Sequence, residues 1–319
     1  MIMESISKVV EGNDLSREEA RETFDEIMKG EATPAQIACL ITALRMKGET
    51  VDEITGAAES MRDVVAEVMP NVKGELLDVV GTGGDKKNTF NISTASAIVA
   101  AGAGCYVAKH GNRAVSSGSG AADVLEKLGV KIDCNNEKNA ELIEKVGIAF
   151  LFAPCHHPAM RHAIGPRKEI GIRTIFNILG PITNPANAKT FLLGVYDLEL
   201  AEKLANVLAN MGLKKALVVH GNDGCDEISI SDPTTIFEVE NGKVKKSEIS
   251  PQDFGLERAK PEEITVKSIE ESANAIQGVL SGEEKGAKRN TVLLNAGAAI
   301  YANGKAGSIK EGIELAKES

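Results

Sequence analysis

The sequence predicts an α/β fold in which a small all-helical domain stands beside a larger α/β domain with a mainly parallel sheet. Three observations lead to this prediction. Apolar residues recur every three or four positions through residues 1–70, as in amphipathic helices. From residue 76 onward, short apolar runs alternate with helix-like stretches, which is typical of parallel strands joined by helices. The length of 319 residues exceeds that of an ordinary single domain, so we expect two domains with a cleft between them.

Residues 1–70 are predicted to be helical because capping signals precede their apolar stripes. A Ser or Thr followed three residues later by Glu or Gln forms a capping box, and Pro34 suits a first helical position. The stretch 157–173 is basic and poor in strand signals, so part of 157–185 is predicted to join the helical domain. The three capping boxes are Ser16 with Glu19, Thr33 with Gln36, and Thr50 with Glu53.

The α/β domain is predicted to comprise residues 75–156 and 186–319. An antiparallel hairpin is expected at 236–250, with Asn241-Gly242 at its turn, and helices are expected at 268–318. Because open α/β sheets bind ligands beyond the carboxyl ends of their strands, the loops that follow the strands are the expected site. The parallel strands are predicted at 76–80, 105–110, 148–153, 191–196 and 216–221.

Composition argues against several classes of protein. The formal net charge of −10 disfavours general binding to nucleic acid, whose phosphates require a positive surface. No apolar run approaches the ~20 residues that cross a bilayer, and the N-terminus lacks a secretion signal. The five cysteines form no C-x-x-C pair and are expected to be reduced. We therefore expect a cytoplasmic protein without a membrane partner.

Two glycine-containing loops are predicted to bind anions. The first is Gly81–Asp85, which follows a strand and precedes a helix that Asn91 or Ser93 could cap. Backbone N–H groups at such a loop, together with the helix N-terminus, suit phosphate or pyrophosphate, although a tight structural turn is the alternative. The second loop, 109–120, follows the next strand and combines basic side chains with hydroxyls and glycines that suit phosphate oxygens. A basic turn exposed to solvent is the alternative interpretation. Two neighbouring anion loops imply a substrate with two phosphate groups.

Two further features involve charged residues. Asp226 and Glu227 follow a strand and a glycine turn, where carboxylates suit a magnesium ion shared with substrate phosphates; adjacent acids on a surface are the alternative. In the stretch 156–186, Arg167 or Arg173 could hold a carboxylate bidentately, or either could form a structural ion pair. The residue types alone do not distinguish these two arginines.

Several strings of residues, taken together, resemble those of the anthranilate phosphoribosyltransferase family. They occur in the family's order and at about its spacing, over nearly the whole chain: GTGGD, NIST, KHGNRAVSS, ADVLEKLGV, HPAM, GIRTIFNILGP followed by TNPA, and HG.DG.DE. The resemblance implies the nucleoside phosphorylase/phosphoribosyltransferase-like fold, and a homodimer formed through the helical domains. It also implies transfer of a phosphoribosyl group from 5-phosphoribosyl 1-pyrophosphate to the amine of anthranilate, with Mg²⁺, in tryptophan biosynthesis.

The resemblance also implies roles for individual residues. One departure is Ala121, where many members of the family carry Ser, so a hydroxyl contact to phosphate is absent there. Contacts to phosphoribosyl pyrophosphate are implied for Gly81, Gly84, Asp85, Thr89, Asn91, Ile92, Ser93, Thr94, Lys109, His110, Gly111, Asn112, Arg113, Ala114, Val115, Ser116, Ser117 and Ala121. Contacts to anthranilate are implied for Gly81, His110, Asn112, Arg167 and Pro181, and magnesium ligation for Ser93, Asp226 and Glu227. Arg173 is left as a structural residue.

The sequence shows no nucleophile paired by motif with a dedicated base, so no obligatory catalytic residue is predicted. The neutral amine of anthranilate would itself attack, while the protein positions both substrates and stabilises the departing pyrophosphate. Two alternatives stay open. A pyrimidine nucleoside phosphorylase has the same kind of fold but a different loop pattern and no need for the acidic pair. A non-catalytic nucleic-acid-binding relative would need a basic surface, which the net charge of −10 disfavours.

Overall fold

The computed structural model describes residues 1–113 and 120–319. Its strands are β1 (Leu76–Gly81), β2 (Tyr106–Gly111), β3 (Ile148–Phe152), β4 (Thr190–Gly194), β5 (Lys215–Gly221), β6 (Thr234–Glu240) and β7 (Lys243–Ile249). Its α-helices are α1 (Ile2–Val10), α2 (Arg17–Lys29), α3 (Pro34–Lys47), α4 (Val51–Asp63), α5 (Ile92–Gly102), α6 (Ala121–Lys127), α7 (Asn136–Val146), α8 (Ala153–His156), α9 (Arg161–Ile170), α10 (Ile175–Ile182), α11 (Leu198–Asn210), α12 (Ile269–Ser281), α13 (Ala287–Asn303) and α14 (Ile309–Glu318).

The N-terminal helices begin where the capping signals place them. Ser16, Thr33 and Thr50 each accept a hydrogen bond from the backbone N–H three residues on, and the matching Glu or Gln bonds back to the cap. Their apolar faces then pack together, with α2 against α4 and α1 against α3. Helices α9 and α10 pack against the same group, and the rings of Phe24 and Phe176 meet edge to face with centroids 5.6 Å apart.

The sheet has seven strands in the order β3-β2-β1-β4-β5-β6-β7. The first five in that order are parallel, and β6 and β7 pair antiparallel at one edge. This confirms the predicted fold class and the five predicted strands. The hairpin turn also forms as predicted, because Asn241 at φ 52° and Gly242 at φ 73° adopt the left-handed conformation that a two-residue hairpin turn requires.

Helices cover both faces of the sheet. Helices α5, α12, α13 and α14 contribute to one hydrophobic core, and α11 packs with the N-terminal helices in another. Among the described residues, no helix is long and apolar enough to cross a membrane.

The strand order places a crevice at the carboxyl edge of the sheet. After β1 the chain crosses to β2 and β3 on one side, whereas β4 and β5 lie on the other side. Parallel sheets bind ligands where the order reverses in this way, here between β1 and β4. Both strands end at that edge in glycine, and Gly81 of β1 lies beside Gly194 of β4 in the ladder.

Candidate active site

A cavity of about 300 Å³ opens at this carboxyl edge, between the sheet and helices α9 and α10. It combines backbone from the two predicted anion loops with basic, acidic and apolar side chains from opposite sides. Its lining is Val80–Gly84, Asn91, Ser93, Lys109–Arg113, Gly120, Ala121, Ala153, Arg167, Arg173, Phe176, Asn177, Gly180, Pro181, Asp226 and Glu227. The structure therefore brings most of the predicted site residues to one place.

The first glycine loop leaves β1 and runs along the cavity. Gly83 and Gly84 have φ of 61° and 94°, which favours glycine at both positions. At Gly81 a side chain would collide with Asp226, since a Cβ there would lie 2.5 Å from its Oδ2. The N–H of Gly83 donates to the same Oδ2 at 2.8 Å, so this loop and Asp226 fix each other's position.

Arg173 holds the opposite side of the first glycine loop. Its Nη2 donates to the carbonyl oxygens of Thr82 and Gly83, at 3.1 and 3.2 Å. The guanidinium also lies over the ring of Tyr196, 5.0 Å from the centroid. The role of Arg173 is therefore structural, but it supports the loop directly.

Helix α5 points its N-terminal end at the cavity. Asn91 occupies the N-cap position, and both Asn91 and Ser93 line the cavity. A helix N-terminus carries a partial positive charge and unpaired N–H groups, which stabilise anions nearby. The expected combination of glycine loop and helix start is thus present beside β1.

A buried network under the second loop orders its first residues. Lys109 is almost fully buried, and its ammonium donates to the carbonyl oxygen of Val79 at 2.6 Å and to Ser93 Oγ at 3.3 Å. The fully buried Asp78 accepts from the N–H of His110 at 3.1 Å and from Asn184 Nδ2 at 2.7 Å. Burial raises the pKa of Asp78 to about 7, and the nearby Lys109 opposes that rise.

His110 is held in one tautomer. Its Nδ1 lies 3.1 Å from the carbonyl oxygen of Gly180, and because a carbonyl can only accept, Nδ1 carries the proton. Its buried Nε2 has no hydrogen-bond partner within residues 1–113 and 120–319. Burial, with His157 as a neighbour, holds the pKa of His110 well below its ordinary value. The ring is therefore neutral and offers one lone pair.

The rest of the second loop is described only in part. Arg113 lines the cavity, donates to Asp123 and Glu126, and lies over the ring of Phe152. Four other residues predicted to contact phosphoribosyl pyrophosphate, Ala114, Val115, Ser116 and Ser117, fall outside the described residues.

Acidic groups gather where the loops after β1 and β5 meet. The ligand atoms of Asp85, Cys225 and Asp226 all lie within 4.8 Å of one another. Burial raises the pKa of Asp226, and the nearby Asp85 carboxylate raises it further. Burial and the charge of Asp226 likewise raise the pKa of Glu227. The charge of Lys109 and the N–H of Ser93 oppose this second rise. Such crowded carboxylates are stabilised by a bound cation.

The donor set fits magnesium better than a thiophilic metal. Carboxylate oxygens are the ligands that Mg²⁺ prefers. Burial raises the pKa of the Cys225 thiol well above its ordinary value, which disfavours the thiolate form that soft metals bind. Asp85 was predicted to contact phosphoribosyl pyrophosphate, and the structure adds it to the acidic group around Asp226.

The two arginines that sequence reasoning left equivalent differ in the structure. Arg167 lines the cavity with its guanidinium 5.2 Å from the centroid of the Phe176 ring, and burial lowers its pKa. No carboxylate in the described part of the chain pairs with Arg167. Arg173 is occupied with loop carbonyls instead. Arg167 is thus the arginine whose donors remain for a ligand.

Some predicted contacts lie behind the cavity wall. Thr89 forms an isolated β-bridge with Thr265, Ile92 is buried in the core beside β1, and Thr94 donates to Asn91 Oδ1. These three, with Asp85, are absent from the cavity lining. Sequence reasoning assigned no role to Ala153, Phe176 or Asn177, although Phe176 and Asn177 lie within the string GIRTIFNILGP. None of the three is charged, and all reach the cavity through the packing of α8 and α10.

Comparison with known proteins gives the family. Residues 3–65 match the helical bundle domain of a glycosyl transferase family, and residues 73–319 match its α/β domain. The anthranilate phosphoribosyltransferase of Acetivibrio thermocellus is 55% identical over 318 residues, which cover 100% of this chain and 92% of that protein. That of Persephonella marina is 50% identical over 319 residues, with coverage of 100% and 94%.

Comparison with solved structures gives the same family. The crystal structure of anthranilate phosphoribosyltransferase from Thermus thermophilus superposes with a TM-score of 0.92 at 44% identity, covering 98% of this chain and 93% of that one. The enzyme from Saccharomyces cerevisiae, in complex with phosphoribosyl pyrophosphate and Mg, gives a TM-score of 0.89 at 30% identity, covering 99% and 92%. The chain therefore belongs to the anthranilate phosphoribosyltransferase family.

Proposed function

We propose that this enzyme transfers the phosphoribosyl group of 5-phosphoribosyl 1-pyrophosphate to the amine of anthranilate, giving N-(5-phosphoribosyl)anthranilate and pyrophosphate, in tryptophan biosynthesis. The observation that carries the proposal is one cavity that joins two anion loops, an acidic group and an unpaired arginine. The first three features suit a magnesium-bound pyrophosphate, and the arginine suits a carboxylate.

Phosphoribosyl pyrophosphate is proposed to lie along the two loops. Backbone N–H groups after Gly81, the N-terminus of α5 and the cationic Lys109 all contribute positive potential on that side of the cavity. These groups stabilise the charge that develops on pyrophosphate as its bond to the ribose breaks. We propose as contacts for this substrate the predicted residues that line the cavity, together with Ala114, Val115, Ser116 and Ser117, which lie outside the described part.

Magnesium would be held by Asp226 and Glu227, with Ser93 and Asp85 beside them, and would supply positive charge to the pyrophosphate oxygens. The chain's own contribution is to hold the acids in place and favour their charged form, since Asp226 accepts from the N–H of Gly83 at 2.8 Å and the N–H of Ser93 lowers the pKa of Glu227. The related yeast enzyme, whose structure contains both phosphoribosyl pyrophosphate and Mg, supports this proposal.

Anthranilate is proposed to bind between Arg167 and the first glycine loop, with Gly81, His110, Asn112 and Pro181 around it. The carboxylate of anthranilate would pair with Arg167, which aims the neutral amine at the anomeric carbon. As the C–O bond to pyrophosphate breaks, the amine nitrogen forms the new C–N bond. The extra proton on nitrogen then passes to a pyrophosphate oxygen or to water, so no protein base is required.

The assay that tests this function follows the fluorescence of anthranilate. We expect consumption of anthranilate only when phosphoribosyl pyrophosphate and magnesium are both present. Thymidine with inorganic phosphate should give no turnover; if that pair reacts and anthranilate does not, the enzyme is a nucleoside phosphorylase instead.

Arg167→Ala should chiefly impair the use of anthranilate. Loss of a hydrogen bond to a charged group costs roughly 1.5–3 kcal/mol, so kcat/KM for anthranilate should fall by about tenfold to a hundredfold. Binding of phosphoribosyl pyrophosphate, measured by titration, should stay nearly the same. Arg161→Ala, on the exposed surface of the same helix, is the matched control. Unchanged anthranilate kinetics in the Arg167 variant would show that another group holds the carboxylate.

His110→Ala should retain measurable activity because the proposed reaction needs no general base. Obligatory acid–base groups contribute about 10²–10⁴-fold, whereas loss of a wall of the anthranilate site should mainly raise KM. Steady-state kinetics at saturating anthranilate distinguish these outcomes. A fall in kcat of more than 10²-fold, with both substrates still bound, would identify the free Nε2 of His110 as a catalytic base.

We also propose that residues 1–70 with part of 157–185 form one domain, that 75–156 and 186–319 form the other, and that two copies associate through the helical domains. Exposed apolar side chains support the association of two copies. Met3, Met46 and Ile164, on the neighbouring helices α1, α3 and α9, are 63%, 84% and 55% exposed. Light scattering should give twice the chain mass of 33.7 kDa.

The free cysteines accord with a cytoplasmic location, which we propose as well.

A further inference from the structure

A second cavity, of about 340 Å³, lies between the helical unit and the α/β sheet, next to the candidate active site. The turn between α3 and α4 forms one side of it, and α10 with the segment from β4 into α11 forms the other. Its lining is Arg45, Gly48, Glu49, Ile54, Arg173, Thr174, Asn177, Ile178, Tyr196, Asp197, Glu199, Leu200 and Lys203. None of the proposed substrate contacts belongs to this set.

A buried carboxylate with one unpartnered oxygen lies in the wall of this second cavity. Glu49 is only 6% exposed, and its Oε1 has no hydrogen-bond partner among the described residues. A buried carboxylate is costly to the fold unless a donor or a cation satisfies it. Burial raises the pKa of Glu49, while a hydrogen bond from its own backbone N–H and the charges of Arg45 and Lys203 oppose that rise. The group is thus suited to accept from a donor that enters the cavity.

A cationic side chain without a partner lines the same cavity. Arg45 belongs to the last turn of α3, and no carboxylate in the described ranges pairs with it, Glu49 included. By contrast Lys203 is already paired with Glu199 at 2.9 Å. The cavity therefore presents a carboxylate with one open oxygen and an arginine without an ion-pair partner among the described residues, and the two do not pair with each other.

Between these charges the wall is apolar. Ile54 and Ile178 are buried, Leu200 is partly buried, and all three line the cavity. A ligand that satisfies the whole site must combine an ammonium, a carboxylate and a small apolar group. The volume is near the lower end of the roughly 300–1,000 Å³ usual for small-molecule sites, which limits the ligand to a small one.

We propose that this second cavity binds a small apolar α-amino acid, with its ammonium on Glu49 and its carboxylate on Arg45. The bound molecule would also meet Arg173 and Asn177, which line both cavities. Because Arg173 donates to the carbonyls of Thr82 and Gly83, its position is linked to that of the first glycine loop. Occupancy of the second cavity is thereby coupled to binding of phosphoribosyl pyrophosphate.

Calorimetric titration of the full chain with L-leucine tests the site without any substrate, so its outcome is independent of the proposed function. L-leucine should bind, whereas isopentylamine and 4-methylpentanoate, which each lack one of the two charges, should bind at least about tenfold more weakly. Absence of binding by L-leucine, L-valine and L-phenylalanine would overturn the proposal, as would equal binding of the amine or the acid alone.

Two variants locate the binding. Glu49→Gln keeps the shape of the side chain, and Arg45→Ala alters an exposed residue, so one of them stays folded even if the buried position is sensitive. Each should weaken L-leucine binding by roughly tenfold or more, whereas Glu22→Gln, an exposed carboxylate on α2, should not. Unweakened binding in both variants would place the amino acid elsewhere.

The coupling has its own measurement. In the wild type, saturating L-leucine should change the Kd of phosphoribosyl pyrophosphate, and by linkage this substrate should change the Kd of L-leucine by the same factor. Arg45→Ala should abolish the effect at the same L-leucine concentration. If L-leucine binds but the two affinities are independent, the coupling through Arg173 is wrong.

Discussion

Changing Asp226 to Asn and Glu227 to Gln in one protein should lower kcat by on the order of 10²–10³ while the chain stays folded. The two carboxylates are the proposed anchor for the magnesium that offsets the charge of pyrophosphate. In the wild type the N–H of Gly83 donates to Asp226 Oδ2 at 2.8 Å. The amide oxygen of Asn at this position can still accept that hydrogen bond, so the first glycine loop should keep its position. The loss would then report the missing charge rather than a displaced loop.

The double variant should be at least as stable as the wild type at neutral and higher pH. Burial raises the pKa of both acids above the values they have in the unfolded chain. A group shifted in this direction contributes its stability below the unfolded-state pKa and loses it as pH rises through the folded-state pKa. Neutral amides have no such dependence, so thermal melting of the variant should vary less with pH.

The test of the magnesium anchor is to measure kcat against magnesium concentration, with melting curves, for the wild type and the double variant. A matched control is Glu283→Gln with Glu284→Gln, a neighbouring acid pair after α12 and away from the cavity. That control should keep the wild-type kcat. A folded Asp226 and Glu227 variant with wild-type kcat and the same magnesium dependence would mean that the substrate holds the metal alone.

The architecture was predictable from sequence because its signals are local. Each parallel strand is a short apolar run between polar loops, and the five observed strands begin and end within two residues of the predicted bounds. Capping boxes and the Asn241-Gly242 turn depend on neighbours three residues apart or fewer. Since the carboxyl ends of parallel strands meet at one edge, the grouping of the two loops and the acidic pair also followed.

The roles of individual residues within the site were harder to predict from the sequence. Arg167 and Arg173 are both arginines of one basic stretch, and only the folded chain shows that Arg173 bonds the carbonyls of Thr82 and Gly83. Asp78 had a weak signal, as an acid inside an apolar strand, yet its partners His110 and Asn184 are 32 and 106 residues away. Contacts over such separations are set by strand order, which residue spacing does not encode.

Gly194 at the end of β4 gives no motif signal, and Gly194→Ala should nevertheless lower kcat by on the order of 10². A Cβ at this position would overlap the backbone carbonyl of Asp226, which lies directly over the strand end. Because backbone cannot move aside as a flexible side chain can, the segment with Asp226 must shift. Displacement of a catalytic group by about 1 Å can cost 10²-fold in rate. The same overpacking should lower stability by about 1–3 kcal/mol.

The matched control is Gly278→Ala on α12, where the nearest heavy atom to an added Cβ is Glu284 Cβ at 3.6 Å, an ordinary contact. That change should leave kcat unaltered and, as a glycine in a helix interior, should stabilise the chain by roughly 0.5–1 kcal/mol. Magnesium dependence separates a shifted Asp226 from simple loss of fold, because a displaced ligand raises the magnesium concentration needed for half-maximal rate. If Gly194→Ala stays folded, keeps its kcat and needs no more magnesium, the position of the Asp226 segment does not limit the reaction.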